Sequence, residues 1–183
     1  MHWVFFAFLT AIALSTADAL SKKALSSTDE LVIVWVREGY ALPFLALAFF
    51  FVEAPPLDST FVITVLALLP LEITALFLYV KAIRLSPLSL TIPFMALSPV
   101  FIVFIAFIFL GERPSAAGVA GIVLIALGAY LLNASALRFS ITGPLRAIIK
   151  EPGSVLMVIV AFIYSITSTL GKVALKHSSP VFF

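Results

Sequence analysis

Long apolar runs alternate with short polar turns along this chain. The two clearest runs, 88–110 and 116–132, are joined by the turn 111–115, which reads Gly-Glu-Arg-Pro-Ser. At about 1.5 Å of rise per residue, the first run is long enough to cross a hydrocarbon core, and the second is near the lower limit. Gly111 suits a left-handed C-terminal helix cap, and Pro114 suits the start of the next helix, where an amide hydrogen is not needed. The pattern predicts a membrane hairpin.

Four further apolar runs have the length of membrane spans, at 3–20, 31–52, 61–80 and 155–175. Hydrophobic residues make up 63% of the chain and charged residues 11%, whereas a soluble domain carries about 25% charged residues. A soluble fold of this size could not cover so much apolar surface, so the solvent must be lipid. We expect an all-α, polytopic membrane helix bundle of about six transmembrane helices in a lipid bilayer.

The first apolar run recurs later in the chain. When the sequence is shifted by 150 residues, six of the fifteen positions 11–25 are identical. The matched residues are Ala11, Ser15, Leu20, Lys22, Ala24 and Leu25 with Ala161, Ser165, Leu170, Lys172, Ala174 and Leu175. A segment that recurs is a structural unit. The run 3–20 is therefore interpreted as a retained first helix, although Ala17-Asp18-Ala19 fits the cleavage motif of a signal peptide.

This recurrence predicts an inverted repeat. Five spans precede the recurring helix at 155–175, and an odd number places two successive units antiparallel in the membrane, as in many secondary transporters. The expected organisation is a first repeat at 1–135, an interfacial linker at 136–153 and the start of a second repeat at 154–183. Because the second unit holds one helix where the first holds five, we expect the chain to be a fragment of a ten-helix protein.

The hairpin also carries a motif with defined spacing. Its residues are Pro93, Leu97, Pro99, Val100 and Phe101, then Leu110, Gly111, Glu112 and Arg113, then Gly121, Leu124, Ile125, Gly128, Tyr130, Leu131 and Leu132. The whole pattern resembles the EamA-type repeat of the drug/metabolite transporter superfamily. The resemblance implies a secondary transporter of small metabolites such as amino acids and does not specify the substrate. It further implies that Gly111, Glu112 and Arg113 form a hairpin turn typical of the family.

Three ionisable residues, Asp18, Arg37 and Glu72, lie inside predicted spans. An ionisable group within a bilayer costs at least ~2.5 kcal/mol, so each needs a reason. Counted from the face where the first span ends, Asp18 and Arg37 lie about 9 Å deep and Glu72 about 12 Å deep, so the three can meet. In one interpretation Arg37 binds an anionic substrate group and Glu72 or Asp18 transfers a proton. In the other, they form a structural ion pair. An arginine at this depth in the second span also resembles the family pattern.

Hydroxyl and proline residues complete the candidate set. The hydroxyl candidates are Ser15, Thr16, Ser165 and Ser168, and the hinge candidates are Pro70, Pro93 and Pro99. The hydroxyl groups would either line a cavity or form interhelical hydrogen bonds worth about 0.6 kcal/mol each. The prolines free backbone carbonyls and would act either as hinges or as static kinks that aid packing.

The sequence disfavours several other classes of protein. Cysteine is absent, which removes disulfides, thiol nucleophiles and cysteine metal sites, and both histidines, His2 and His177, lie near the termini. No metalloprotease motif, serine-hydrolase motif or phosphate-binding glycine loop occurs. The net charge of +2 does not suggest a nucleic-acid partner. We therefore expect no enzymatic activity, cofactor, metal site or ATP-driven transport.

Secondary-active transport is the expected function, with export as the expected direction and the proton as the candidate coupling ion. The expected location is a multi-pass position in a prokaryotic inner or plasma membrane. The alternative is a truncated half-transporter or a non-transporting subunit, which would need a second copy or a complementary half as partner. Orientation stays open: the resemblance favours an inside N-terminus, which places three basic residues on inner loops and seven on outer ones, the reverse of the positive-inside rule.

Overall fold

The long apolar runs fold into helices. A computed structural model describes residues 2–52, 55–111, 114–131, 149–179 and 182–183. Its helices are α1 (His2–Ala24), α2 (Glu30–Gly39), α3 (Leu42–Phe49), α4 (Ser59–Leu85), α5 (Leu88–Thr91), α6 (Ser98–Leu110), α7 (Ala116–Leu131) and α8 (Pro152–Lys176), with a 3₁₀ segment at Ile92–Leu97. No strand occurs in these described ranges, which confirms the predicted all-α polytopic bundle.

Four helical stretches have both the length and the apolar character of a membrane span, whereas the sequence pattern predicts about six. They are Val4–Ala24, Ser59–Leu85, Leu88–Phe109 and Pro152–Lys176. The run at 116–132 forms α7, which is apolar but shorter, and the run at 31–52 is divided between α2 and α3. The difference therefore concerns the two shortest or most interrupted runs.

Pro43 explains the division of the second run. It has no amide hydrogen, and its ring would clash with the carbonyl one turn earlier, so a helix passing through it is interrupted in the preceding turn. The α2 helix ends at Gly39, and the amide groups of Tyr40 and Ala41 bond to the carbonyl oxygens of Val36 and Glu38 at 3.2 and 3.1 Å. The chain resumes helical geometry in α3, at the residue before the proline.

Two of the hinge candidates lie where the helical stretch Leu88–Phe109 changes its geometry. Pro93 lies in the first turn of the 3₁₀ segment, and Pro99 is the second residue of α6. A missing amide hydrogen costs little in a first turn, so both prolines fit here without a broken bond. Pro70, in contrast, lies within the continuous helix α4, where the Thr74 hydroxyl donates to the Pro70 carbonyl at 2.7 Å. The hinge role of all three stays a prediction.

The hairpin turn confirms one sequence-based prediction and corrects another. Gly111 has a φ of 66° and its amide bonds to the Phe107 carbonyl at 3.1 Å, as expected for a left-handed cap. The next helix begins at Ala116 rather than at Pro114, because the Ser115 hydroxyl caps it by accepting a hydrogen bond from the Gly118 amide at 3.1 Å. Glu112 and Arg113 lie outside the described residues.

The directions of the helices follow from contacts between their ends. Lys22 near the end of α1 reaches the end of α4, so α1 and α4 run parallel. Asp58 before α4 meets His177 after α8, and Ser86 after α4 meets Gly153 at the start of α8, so α4 and α8 run antiparallel. The α8 helix therefore runs opposite to α1, the direction an inverted repeat requires. The repeat itself, with its boundaries at 1–135, 136–153 and 154–183, stays a prediction.

The core lies where α4 packs against α8. Small residues are buried here beside larger ones, since Ala75, Ala82, Ala161, Ala174 and Gly153 are buried on these helices together with Val80, Ile83, Met157 and Val160. In lipid there is no hydrophobic drive between helices, so van der Waals packing must hold them, and small side chains permit the closest approach. The α1 helix instead exposes most of its large apolar side chains, as a surface in contact with lipid would.

Polar contacts fix the C-terminal end of α4 to α1 and α8. The Lys22 ammonium donates to the carbonyl oxygens of Ile83, Arg84 and Ser86 at 2.6, 3.1 and 3.0 Å. These oxygens lack helical partners and carry the negative end of the helix dipole, so a cation is favourable there. The Ser86 hydroxyl accepts from the Gly153 amide at 3.0 Å and donates to the Glu151 carboxylate. One end of the bundle is therefore joined across three helices.

The opposite end of α4 is capped by Asp58, which predicts a pH dependence. The Phe61 amide donates to Asp58 Oδ1 at 2.9 Å, and His177 Nδ1 lies 2.7 Å from Oδ2. The Phe61 amide first, and then the contact with His177, lower the pKa of Asp58 below its ordinary value of 3.8. Because the pKa is lower in the folded state, the stabilisation is complete above pH 3.8 and disappears as pH falls through the lowered pKa.

We expect the thermal unfolding midpoint in detergent to fall on acidification below pH 3.8 by more in the wild-type chain than in Asp58→Asn. Asparagine keeps an oxygen that can cap the helix but cannot be protonated in this range. Equal acid sensitivity in the two proteins would show that Asp58 titration does not contribute.

Candidate functional site

An ion pair between α1 and α2 forms the centre of the candidate site. Arg37 Nη1 lies 2.8 Å from Asp18 Oδ1, and the two side chains are only 18% and 12% exposed. The short connection at 25–29 returns α2 alongside α1 in the opposite direction, which brings Arg37 to the depth of Asp18. The structure thus joins Asp18 and Arg37, the two ionisable residues that sequence position places at equal depth.

Tyr79 of α4 completes this cluster. Its hydroxyl donates to Asp18 Oδ2 at 2.7 Å, and its ring centroid lies 5.4 Å from the Arg37 guanidinium carbon. Both oxygens of Asp18 are therefore bonded, while the Tyr79 ring gives Arg37 a cation–π contact. A guanidinium has five N–H donors, and within the described part of the chain only the bond to Asp18 is formed. Arg37 is held in position and keeps donors for another acceptor.

A cavity of about 390 Å³ opens beside this cluster. Its polar lining includes Ser15, Asp18, Arg37, Tyr79 and Tyr164, and apolar side chains supply the remainder of the wall. The volume lies within the range of about 300–1,000 Å³ typical of small-molecule sites, which are mostly apolar with a few placed polar groups. The arrangement can bind a small molecule with one anionic group and an apolar body.

Glu72 lies apart from the ion pair. It lines a cavity of about 540 Å³ with Ser168 and Lys172, and a smaller one of about 230 Å³ with Glu38. The described residues provide no hydrogen bond or ion-pair partner for its half-buried carboxylate, whereas Asp18 has two. The two acids therefore differ in their surroundings: Asp18 is fixed by two partners, and Glu72 has none among the described residues.

The hydroxyl candidates divide between the cavities and their own helices. Ser15 lines the cavity of the ion pair and Ser168 that of Glu72. Thr16 and Ser165 instead donate to carbonyl oxygens one turn earlier, to Ile12 at 2.8 Å and to Phe162 at 2.6 Å. These bonds stay within one helix, so the expectation of interhelical hydrogen bonds is not met for these two residues.

Four residues of the site are not predicted by sequence position. Tyr79 and Tyr164 lie inside spans, and a buried phenol hydroxyl usually needs a partner, which was a usable signal. Lys22 stands out in the sequence only through the repeat, although a lysine just before a polar turn can reach the end of a parallel helix. Glu38 is exposed and lines the smaller cavity of Glu72, a placement that its position in the sequence does not predict.

Comparison with known proteins places the chain in a family. The model of the EamA-like transporter family matches residues 1–134, nearly three quarters of the chain. The chain belongs to the EamA-like transporter family. Neither the curated proteins nor the solved structures include a significant match. As a member, the chain is an integral membrane protein of a family of drug and metabolite transporters rather than enzymes.

The matched range places most of the candidate site within the EamA-like unit. Asp18, Arg37, Glu72 and Tyr79 all fall within residues 1–134, and so does the hairpin with Gly111. Tyr164 and Ser168 lie beyond the match, on α8. The cavities are therefore formed jointly by the EamA-like unit and the helix that follows it.

Proposed function

We propose that this protein is a secondary-active exporter of small metabolites with a carboxylate group, such as amino acids, in a prokaryotic inner or plasma membrane. The observation that carries the proposal is the orientation of Arg37. Asp18 and Tyr79 hold its guanidinium at the edge of a cavity of about 390 Å³, with donors left for an incoming anion. A guanidinium matches a carboxylate in geometry and charge, so it can accept such a ligand without losing its ion pair.

A panel of radiolabelled amino acids tests the proposed substrate class. The purified protein would be reconstituted into liposomes, and exchange of internal for external amino acid would be compared with vesicles that lack protein. We expect exchange of at least one amino acid, with weaker exchange of the corresponding amide, which lacks the negative charge for Arg37. Equal exchange of acid and amide would remove the carboxylate from the proposal.

Glu72 is the proposed proton carrier. It lies inside α4, it is half-buried, and it has no bonding partner among the described residues, so taking up a proton would break no ion pair or hydrogen bond that these residues form. Asp18 suits this role less well. Its protonation would remove the ion pair of Arg37 and leave a guanidinium without a counter-ion in the bilayer, which is costly.

We expect Glu72→Gln to abolish the stimulation of transport by an imposed pH gradient while expression and unfolding temperature stay close to wild type. Glutamine keeps the size of the side chain but carries no exchangeable proton. The matched control is Glu38→Gln, because Glu38 lines the same small cavity but is exposed. Unchanged pH stimulation in Glu72→Gln would remove Glu72 from the mechanism.

An assembled half-transporter is the second candidate function. Glu38, Ser168 and Lys172 are exposed on the surface of the bundle, and polar groups facing hydrocarbon are unfavourable, so this surface favours contact with water or with further protein. A second copy or a complementary half could cover it. Native mass spectrometry in detergent would test this, and a strictly monomeric protein that still exchanges substrate would contradict it.

A further inference from the structure

One aromatic side chain of α8 borders all three cavities near the site. Tyr164 lines the cavity of about 390 Å³ beside Arg37, the cavity of about 540 Å³ beside Glu72, and the smaller one shared by Glu72 and Glu38. No other described residue borders these three cavities together. Its ring therefore stands between the region of the ion pair and the region of the unpaired acid.

Leu76 of α4 forms the other part of this boundary. It lines both the cavity of the ion pair and the smaller cavity of Glu72, and it lies one helical turn from Glu72 along α4. Leu76 and Tyr164 are both partly buried and pack against the same buried core. An aromatic ring and a leucine side chain, drawn from antiparallel helices, thus separate the two groups of polar residues.

This boundary has a chemical consequence. A chain of water molecules needs space and several polar partners, and the ring face of Tyr164 and the side chain of Leu76 supply neither. These two groups therefore oppose a water chain through the bundle from Glu72 to Asp18 and Arg37. A continuous water path along α4 through both cavities would let protons cross without substrate.

We infer that Tyr164 and Leu76 form a partition that isolates the proton site at Glu72 from the substrate site at Arg37 and prevents proton leak. The inference rests on the proposed function in assigning the proton to Glu72. Tyr164 acts here as a positioning residue through its ring rather than as a ligand. Its hydroxyl has no part in the partition, so phenylalanine should serve as well.

Proton leak in the absence of any substrate tests the partition directly. Wild-type protein, Tyr164→Ala, Leu76→Ala and Tyr164→Phe would each be reconstituted into liposomes loaded with the pH indicator pyranine. A pH gradient would be imposed with the membrane potential clamped by valinomycin and potassium, and protons would be the only probe. We expect a several-fold faster decay of the gradient in Tyr164→Ala and Leu76→Ala than in wild type. We expect the Tyr164→Phe rate to equal the wild-type rate.

A double variant shows whether the leak passes through Glu72. Tyr164→Ala combined with Glu72→Gln should return to the wild-type rate, since the leak path would lose its proton acceptor. The partition would be overturned if the pH gradient decayed at the wild-type rate in both alanine variants while each was monodisperse in detergent. A leaky Tyr164→Phe, or a leak that persists in the double variant, would overturn it as well.

The leak assay tests the partition independently of the proposed transport function. It contains no amino acid and does not depend on substrate exchange. If the protein exchanges no amino acid, and if only the alanine variants leak protons, the partition is supported and the proposed substrate class is contradicted. If exchange is proton-coupled but neither alanine variant leaks, the proposed function is supported and the partition is contradicted.

Discussion

Gly153→Ala is expected to destabilise the bundle strongly. A Cβ atom at this position would lie 2.5 Å from the Cβ and Oγ of Ser86 and 2.6 Å from the carbonyl oxygen of Ala82. The carbonyl belongs to the backbone of α4 and cannot rotate away, so α4 and α8 would have to separate. Overpacking of this kind typically costs about 1–3 kcal/mol, and the displaced Gly153 amide would also lose its bond to Ser86. We expect a lower unfolding temperature in detergent and a reduced yield of monodisperse protein.

Gly121→Ala provides the matched control. Gly121 lies within α7, and apart from the backbone of its own helix no atom of the described residues is within 4 Å of the Cβ that it would gain. Alanine is the better helix former by up to about 1 kcal/mol, so this variant should be neutral or slightly more stable. The two glycine substitutions are therefore expected to act in opposite directions. An unfolding temperature for Gly153→Ala at or above that of wild type would contradict the close contact of α4 and α8.

Separating Asp18 from Arg37 is the second change with a large expected effect. The two side chains are 12% and 18% exposed, so Arg37→Ala leaves Asp18 with only the Tyr79 hydroxyl as partner. Removing one member of a buried ion pair costs about 3–5 kcal/mol, because the other charge remains unpaired. We expect Arg37→Ala to lower the unfolding temperature and to weaken anionic substrates far more than neutral ones.

The double variant Asp18→Asn with Arg37→Gln distinguishes a structural role of the ion pair from a role of Arg37 in substrate binding. Two neutral amides no longer leave an unpaired charge, so stability should recover relative to Arg37→Ala. Exchange of carboxylate substrates should stay lost if Arg37 binds them. Recovery of exchange together with stability, or equal loss of anionic and neutral substrates in Arg37→Ala, would show that the pair is structural.

The ion pair illustrates how far sequence reasoning reaches in a membrane protein. Because a helix rises by a fixed distance per residue, the position of Asp18 and Arg37 within their runs determines their depth, and equal depth predicts that they can meet. Glu72 lies elsewhere, because α4 continues to Leu85, five residues beyond the predicted run, and Asp18 bonds Tyr79, about two turns from Glu72 along α4. The apolar run does not specify where its helix ends, so the separation of Glu72 from the pair could not be predicted.

The breaks in the helices also show a limit of prediction from the sequence. Gly111 and its left-handed cap follow from the residue type, since glycine adopts positive φ without strain. The division of 31–52 at Pro43 and the 3₁₀ segment around Pro93 depend on how local breaks are accommodated by neighbouring helices. Apolar character alone predicts a continuous span in both places.

The sequence by itself determined the solvent, the helical class, the family hairpin and the equal depth of Asp18 and Arg37. These properties depend on apolar length, residue type and the helical rise, which are local. Only the tertiary structure decided that Tyr79 bonds Asp18, that Lys22 caps α4 and that Tyr164 borders three cavities. Each of these contacts joins residues more than sixty positions apart or on different helices, and their rotation about the helix axes is fixed only by packing.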